Sequence, residues 1–187
     1  MIFSKTEYLL RLSKVKESMS QKKIDVIILT DPSNMNYLTG YDGWSFYVPQ
    51  GIIVALEFDE PIWFGRRQDS KGAKVTTYLQ DKNIIFYPED LVQSPPTHPY
   101  DFVSSFIHEN NWANKNIGVE MDAYYYTAEN HFRLTSTCPN VNFSDATLLV
   151  NWIRLTKSAN EIDYMKQGAK LVEAGMKTAF NNIKPGV

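Results

Sequence analysis

The chain has 187 residues, 43% hydrophobic and 21% charged, enough for one sizeable core plus a smaller piece. A formal net charge of −2 supplies no basic surface for nucleic acid or for an anionic membrane, and the one cysteine, Cys138, excludes an internal disulfide and suits a reducing compartment. No apolar run reaches membrane-span length and no leader pattern follows Met1, so the expectation is a cytoplasmic protein without nucleic-acid or membrane partners.

Ser4-Lys-Thr-Glu7 reads as a capping box, in which the Ser hydroxyl and the Glu carboxylate each take a free N–H at a helix start. Tyr8, Leu12, Val15 and Met19 then recur at helical spacing and give that helix one inward face, with Lys22-Lys23 at its C-terminus. The apolar run Ile24–Leu29 is a strand, and Pro32 starts a short helix or turn over Ser33–Leu38. Gly51–Glu57 and Pro61–Arg67 are two strands joined at hairpin length. Asp69–Tyr78 reads as a helix, Asn83–Tyr87 as a strand, and Pro88–Pro99 as a long loop with His98 near its end. Pro99 opens a helix whose inward face carries Phe102, Val103, Phe106 and Ile107. Lys115–Met121 is a strand, and Asp122 caps a helix containing Tyr125, Ala128 and Phe132. Val141–Ser144 is a short strand, and Asp145 caps Ala146–Leu155. A second capping box, Ser158-Ala-Asn-Glu161, begins a helix with Ile162, Met165, Ala169, Val172, Met176 and Ala179 at steps of three and four. Lys184-Pro185-Gly186-Val187 ends it.

Strands alternating with helices predict an α/β domain: a mixed, mostly parallel β-sheet with helices on both faces. The hairpin at Gly51–Arg67 is what makes the sheet mixed. The last helix follows a polar turn, Thr156-Lys-Ser158, and its apolar stripe either covers the preceding domain or opens another.

One stretch stands apart, Thr30 to Gln50, held between two apolar strands. It combines turn residues (Asp31-Pro32, Gly40, Gly43) with Tyr37, Tyr41, Trp44, Phe46 and Tyr47. Each aromatic taken alone is most simply a core residue; four of them from Tyr41 to Tyr47, interleaved with Asp42 and Gly43, suit a surface made for contact. Arg66-Arg67 ends an apolar strand, where one guanidinium can pair with a carboxylate or join an ordinary surface salt bridge. His98, His108 and His131 are scattered without metal-ligand spacing, Cys138 has no assignable base, and no nucleophile elbow, P-loop or dinucleotide fingerprint occurs. The residues by themselves therefore make no complete catalytic constellation.

Several strings together resemble the N-terminal domain of the creatinase/prolidase ("pita-bread") family: Glu7-Tyr8, Ile24-Asp25, Asn36-Tyr37-Leu38-Thr39-Gly40 and Ile117-Gly118-Val119-Glu120. Arg154, Lys157-Ser158, Glu161-Ile162 and Met165 look like that family's passage into its catalytic domain. Asp31–Asn36, Gly40–Tyr47, Trp63–Arg66 with Gln68-Asp69, Val119–Asp122 and Leu149–Trp152 look most like ectoine hydrolases. The resemblance implies a ribonuclease H-like fold for residues 1–155. It makes residues 156–187 the linker and first helix of a C-terminal catalytic domain otherwise absent from the sequence. It implies a homodimer acting on a small molecule, an inactive isolated chain with no cofactor of its own, and any divalent metal in the absent domain. In creatinases an aromatic and an arginine of one subunit's N-terminal domain reach the other's active site. Phe46 falls at the aromatic and Val48 at the arginine, so Trp44, Phe46 and, on charge alone, Arg66 are the candidate substrate-binding residues. A Xaa-Pro dipeptidase or aminopeptidase parent, or a stand-alone binding or interaction domain, is the alternative.

Overall fold

The computed structural model describes residues 2–186; Met1 and Val187, the last residue of the helix-breaking tail, lie outside the described residues. The chain divides into two compact units, Met1–Ile153 and Arg154–Val187.

The first unit is a six-stranded sheet. Its strands are β1 (Val26–Leu29), β2 (Gly51–Ala55), β3 (Ile62–Arg66), β4 (Ile84–Tyr87), β5 (Asn116–Val119) and β6 (Asn142–Asp145), in the spatial order β4-β3-β2-β1-β5-β6. The hairpin pairs β2 with β3 in register Gly51↔Phe64, and β1 lies antiparallel to β2 with Val26 opposite Ala55. Pairs β1–β5, β3–β4 and β5–β6 are parallel, so the sheet is mixed and mostly parallel as expected. All four residues of β1 are buried, because the strand is interior and covered on both faces.

Strand alternation sorts the core into two layers. On one face Ile27, Leu29, Ile52, Val54 and Trp63 meet four helices: α1 (Lys5–Gln21), α2 (Pro32–Thr39), α3 (Arg67–Thr76) and α6 (Leu149–Leu155). On the other, Val26, Ile28, Ile53, Ile62 and Phe64 meet α4 (Pro99–Glu109) and α5 (Ala128–Thr137). Tyr8, Leu12, Val15 and Met19 are the buried stripe of α1, as their spacing requires. Each such aliphatic side chain withdrawn from water contributes about 1.5–3 kcal/mol.

Strand ends shift by one or two residues, and three helices have boundaries that differ from the sequence reading by two residues or more. Helix α3 starts at Arg67, directly off β3, and stops at Thr76, because Tyr78 and Leu79 leave it to be buried in the core. Asp122 does not cap a helix. Residues 123–126 form turns that carry Tyr126 into the core, and α5 begins only at Ala128, where the Thr127 hydroxyl accepts from the Asn130 N–H. Asp145 Oδ1 accepts from the Thr147 N–H in a turn, and α6 waits until Leu149, after Leu148 has taken a positive φ of 62°.

Glu60 closes the hairpin side of this unit. Its buried carboxylate accepts from Lys5 Nζ at 2.7 Å, the Gln80 N–H at 3.1 Å and Asn83 Nδ2 at 2.9 Å. Burial works to raise its pKa, but the donors outweigh it and hold the group below its ordinary 4.5. A carboxylate with a depressed native pKa adds stability that is complete above its unfolded pKa and is lost as pH falls through the native one. Melting temperatures measured below pH 4.5 should therefore fall less steeply for Glu60→Gln than for the wild type. Parallel acid limbs would rule out Glu60 as a contributor.

The second unit holds α7 (Ala159–Asn182), started by Ser158 and Glu161 in a reciprocal capping box. None of its described residues is buried, and Ile162, Met165, Val172 and Met176 are exposed. No helix among the described residues is long and apolar enough to cross a membrane.

Candidate functional site

The aromatic stretch between α2 and β2 has a fixed base and an open tip. Asp31 Oδ1 caps α2 by accepting from the Ser33 and Asn34 N–H groups, and Gly40 ends it at φ 82°. A side chain at Gly40 would be strained at that φ and would also meet the Tyr8 hydroxyl at 2.8 Å. Tyr41 then turns inward: its ring lies 5.4 Å from that of Trp63, and its hydroxyl donates to Gln50 Oε1 at 2.9 Å. Burial, aided by the Asp69 charge, pushes the Tyr41 phenol up to about 12, so it remains a donor. At the far end the Val48 N–H donates to Ser45 Oγ, and the Tyr87 hydroxyl donates to the Pro49 carbonyl. Between these anchors Trp44, Phe46 and Tyr47 are 63%, 81% and 59% exposed. Trp44 and Phe46 touch edge to face, centroids 6.3 Å apart.

Val48 is buried under the loop. Arg66, at the end of β3, is partly buried, and its Nη2 lies 3.5 Å from Asp69 Oδ1. Burial works to lower the Arg66 pKa; the Asp69 carboxylate and the Tyr47 hydroxyl that faces it more than compensate. Its Nε is buried without a hydrogen-bond partner, so the guanidinium fork keeps unused capacity.

Phe46 and Tyr47 form one wall of a cleft of about 260 Å³, whose other walls come from the Leu91–Pro99 loop and the Tyr124–Asn130 segment. Trp44 and Arg66 are not among its lining residues. His98 is. It caps α4 with Nδ1 accepting from the Tyr100 N–H at 3.1 Å, while its backbone N–H donates to Asp101 Oδ2 at 2.8 Å. Burial and the Arg133 charge lower its pKa, against smaller opposing effects of Glu129 and Asp101. Sequence reasoning left His98 as a loop residue; the signal for its role was His-Pro just before an apolar helix face, which sets the cap.

A second polar cluster sits where parallel β1 and β5 end side by side. Glu120, just past β5, is 4% exposed. One oxygen accepts from the Thr30 N–H at 2.6 Å and the Asp31 N–H at 2.9 Å, the other from Asn34 Nδ2 at 2.6 Å. Asn34 Nδ2 also donates to Asn151 Oδ1 on α6 at 2.9 Å. Burial raises the Glu120 pKa while these donors oppose the shift. The cluster ties the entry to α2, and hence the root of the aromatic stretch, to the sheet and to α6.

Folding also brings His108 Nε2 to 3.5 Å from the Cys138 sulfur, a neighbour that sequence distance concealed. The same nitrogen lies 3.1 Å from the Thr137 carbonyl oxygen, which calls for a hydrogen on Nε2, and the thiol is buried. This is a packed cysteine rather than an activated one. Among the described residues no three His, Cys, Asp or Glu side chains gather as a metal site.

This architecture is shared with proteins already known. The Creatinase/Prolidase N-terminal domain family matches residues 11–156. An uncharacterized hydrolase/peptidase of Sinorhizobium fredii is 47% identical over 185 residues, covering 99% of this chain and 47% of its own length. The ectoine hydrolase of Halomonas elongata is 42% identical over 186 residues, covering 99% of this chain and 46% of its own. The Xaa-Pro dipeptidase of Bacillus anthracis superimposes with a TM-score of 0.76 at 17% identity, over 96% of this chain and 45% of that one, a likeness of fold alone. The chain spans slightly less than half the length of these curated relatives. A fold common to prolidases and close sequence identity over the whole chain agree: this chain belongs to the creatinase/prolidase N-terminal domain family.

Proposed function

We propose that this chain is the N-terminal, substrate-capping and dimerising part of a cytoplasmic creatinase-like hydrolase of C–N bonds, and that the whole enzyme opens the ring of ectoine. The observation that carries the reading is the exposed pair Trp44 and Phe46, presented by a loop whose two ends are buried and hydrogen-bonded. Exposed aromatic faces of this size cost solvation unless something covers them. Ectoine carries a delocalised amidinium, which suits aromatic faces, and a carboxylate, which suits a guanidinium fork such as that of Arg66. The 42% identity to an ectoine hydrolase supports this substrate.

In this reading residues 156–187 are the linker and first helix of a C-terminal catalytic domain. That domain performs the hydrolytic step and holds any divalent metal. The N-terminal part binds, orients and screens the substrate, and Phe46 acts on the active site of a second subunit. A Xaa-Pro dipeptidase parent is the second reading, since the B. anthracis Xaa-Pro dipeptidase shares this fold.

The test is turnover by the full-length gene product against that by the 187-residue chain. The full-length protein should hydrolyse ectoine and leave glycyl-proline intact. The shorter chain should hydrolyse neither, with or without added divalent metal. Turnover of glycyl-proline alone would select the peptidase, turnover of neither by the full-length protein would leave a binding domain, and activity of the shorter chain would overturn the division of labour.

A further inference from the structure

The cleft beside Phe46 has a character of its own. None of its lining residues is Asp, Glu, Lys or Arg. Its lining includes the aromatic Phe46, Tyr47 and Tyr124 and the prolyl Pro95, and Tyr124 is 98% exposed. Flat walls of this kind suit a flat, small ligand, and the volume of about 260 Å³ is just under the range usual for small-molecule sites. An uncharged lining gives no partner for an isolated ionic group, whose desolvation would then go uncompensated.

His98 supplies direction. With Nδ1 accepting from the Tyr100 N–H, that nitrogen carries no hydrogen, so the neutral ring bears its hydrogen on Nε2. Nδ1 is turned to the first turn of α4, which leaves the Nε2–H edge of the ring for the cleft that His98 lines. The capping bonds on both sides of the residue hold the ring in place. The cleft thus offers one oriented donor and stacking faces.

We propose that this cleft is a self-contained binding subsite for small, flat, uncharged or internally neutralised ring compounds bearing a hydrogen-bond acceptor, with the His98 Nε2–H as the donor that orients them. A cyclic amide or a zwitterionic cyclic amidine belongs to this class; a simple carboxylate anion does not. The site is built within one chain, so it requires neither a second subunit nor a catalytic domain.

The test is a nuclear magnetic resonance titration of the 187-residue chain with three probes: δ-valerolactam, ectoine and acetate. The readouts are the His98 ring signals and the Tyr124 ring signals. The lactam and ectoine should shift both saturably, and acetate should not. His98→Asn separates binding from folding, because Asn caps a helix as well as any residue but is too short to present a donor in the cleft. It should keep the melting temperature and weaken both ring probes about tenfold, the scale of one net hydrogen bond. Tyr124→Phe should bind as the wild type, and Tyr124→Ala should bind more weakly. The proposal is overturned if the ring probes leave His98 unmoved, if acetate competes with them equally, or if His98→Asn binds them within about twofold of the wild type. These results are read without turnover, so they stand or fall separately from the hydrolase reading above.

Discussion

Glu120→Ala should lower the unfolding free energy by about 3–5 kcal/mol, the largest single-residue effect expected outside the aromatic core. The carboxylate receives three donors, the N–H groups of Thr30 and Asp31 and the side-chain amide of Asn34. Alanine leaves the Thr30 and Asp31 N–H groups without their acceptor, while Asn34 Nδ2 keeps its bond to Asn151 Oδ1, and each buried donor left without an acceptor costs about 1–3 kcal/mol. The loss falls where the chain passes from β1 into α2, so the aromatic stretch should loosen before the sheet does. Glu120→Gln is the informative partner. Its amide oxygen can take both backbone N–H groups, and its NH2 can donate to Asn34 if the Asn34 and Asn151 amides turn over together. Glutamine should therefore recover more than half of the alanine loss. Urea titration of the three proteins at neutral pH measures this, read from midpoints at constant slope. An alanine variant within about 1 kcal/mol of the wild type would show that water replaces the carboxylate and that the cluster is not dry.

Arg66→Ala, introduced into the full-length enzyme, should weaken binding of a carboxylate-bearing substrate by about 1.5–3 kcal/mol, the worth of a hydrogen bond to a charged group. The guanidinium is held at 3.5 Å from Asp69, a loose pairing, and its Nε has no partner, so it can turn part of its fork to a ligand without breaking a tight ion pair. Arg66→Lys should recover little, because an ammonium carries the charge but lacks the planar fork. Phe46→Ala should raise the Michaelis constant in the same assay, by the about 0.5–2 kcal/mol that a cation over an aromatic face contributes. Arg66 also supports Asp69 and faces Tyr47, so the comparison requires melting curves of each variant. A raised Michaelis constant with an unchanged melting temperature assigns Arg66 to the substrate. Unchanged kinetics would assign it to the loop's support, and a Phe46→Ala enzyme with wild-type kinetics would remove the aromatic cap from the mechanism.

Much of the architecture follows from local pattern. The α1 stripe, the hairpin, the Asp31 cap and the Gly40 stop are each encoded within a few residues, because period, capping chemistry and positive-φ tolerance are short-range properties. The same holds for the exposure of Trp44 and Phe46: a loop with more aromatics than turn residues, between two buried strands, has no room to bury them all. The boundaries that moved were settled by packing. Asp122 and Asp145 are sound caps locally, yet neither starts a helix, because Tyr126 is drawn into the core beside α4 and Leu148 turns the chain first.

The sequence by itself determined the mixed α/β fold, the family strings and the loop that presents Trp44 and Phe46, since each rests on the order and period of neighbouring residues. Tertiary structure alone decided which distant groups share a site. His98 lines the same cleft as Phe46 and Tyr124, Glu120 meets Thr30 and Asn34 because β5 runs parallel to β1, and His108 meets Cys138 because α4 lies beside α5. Those pairings depend on strand order and helix packing, which are set by burial of the two core layers as a whole and leave no mark at any one position in the chain.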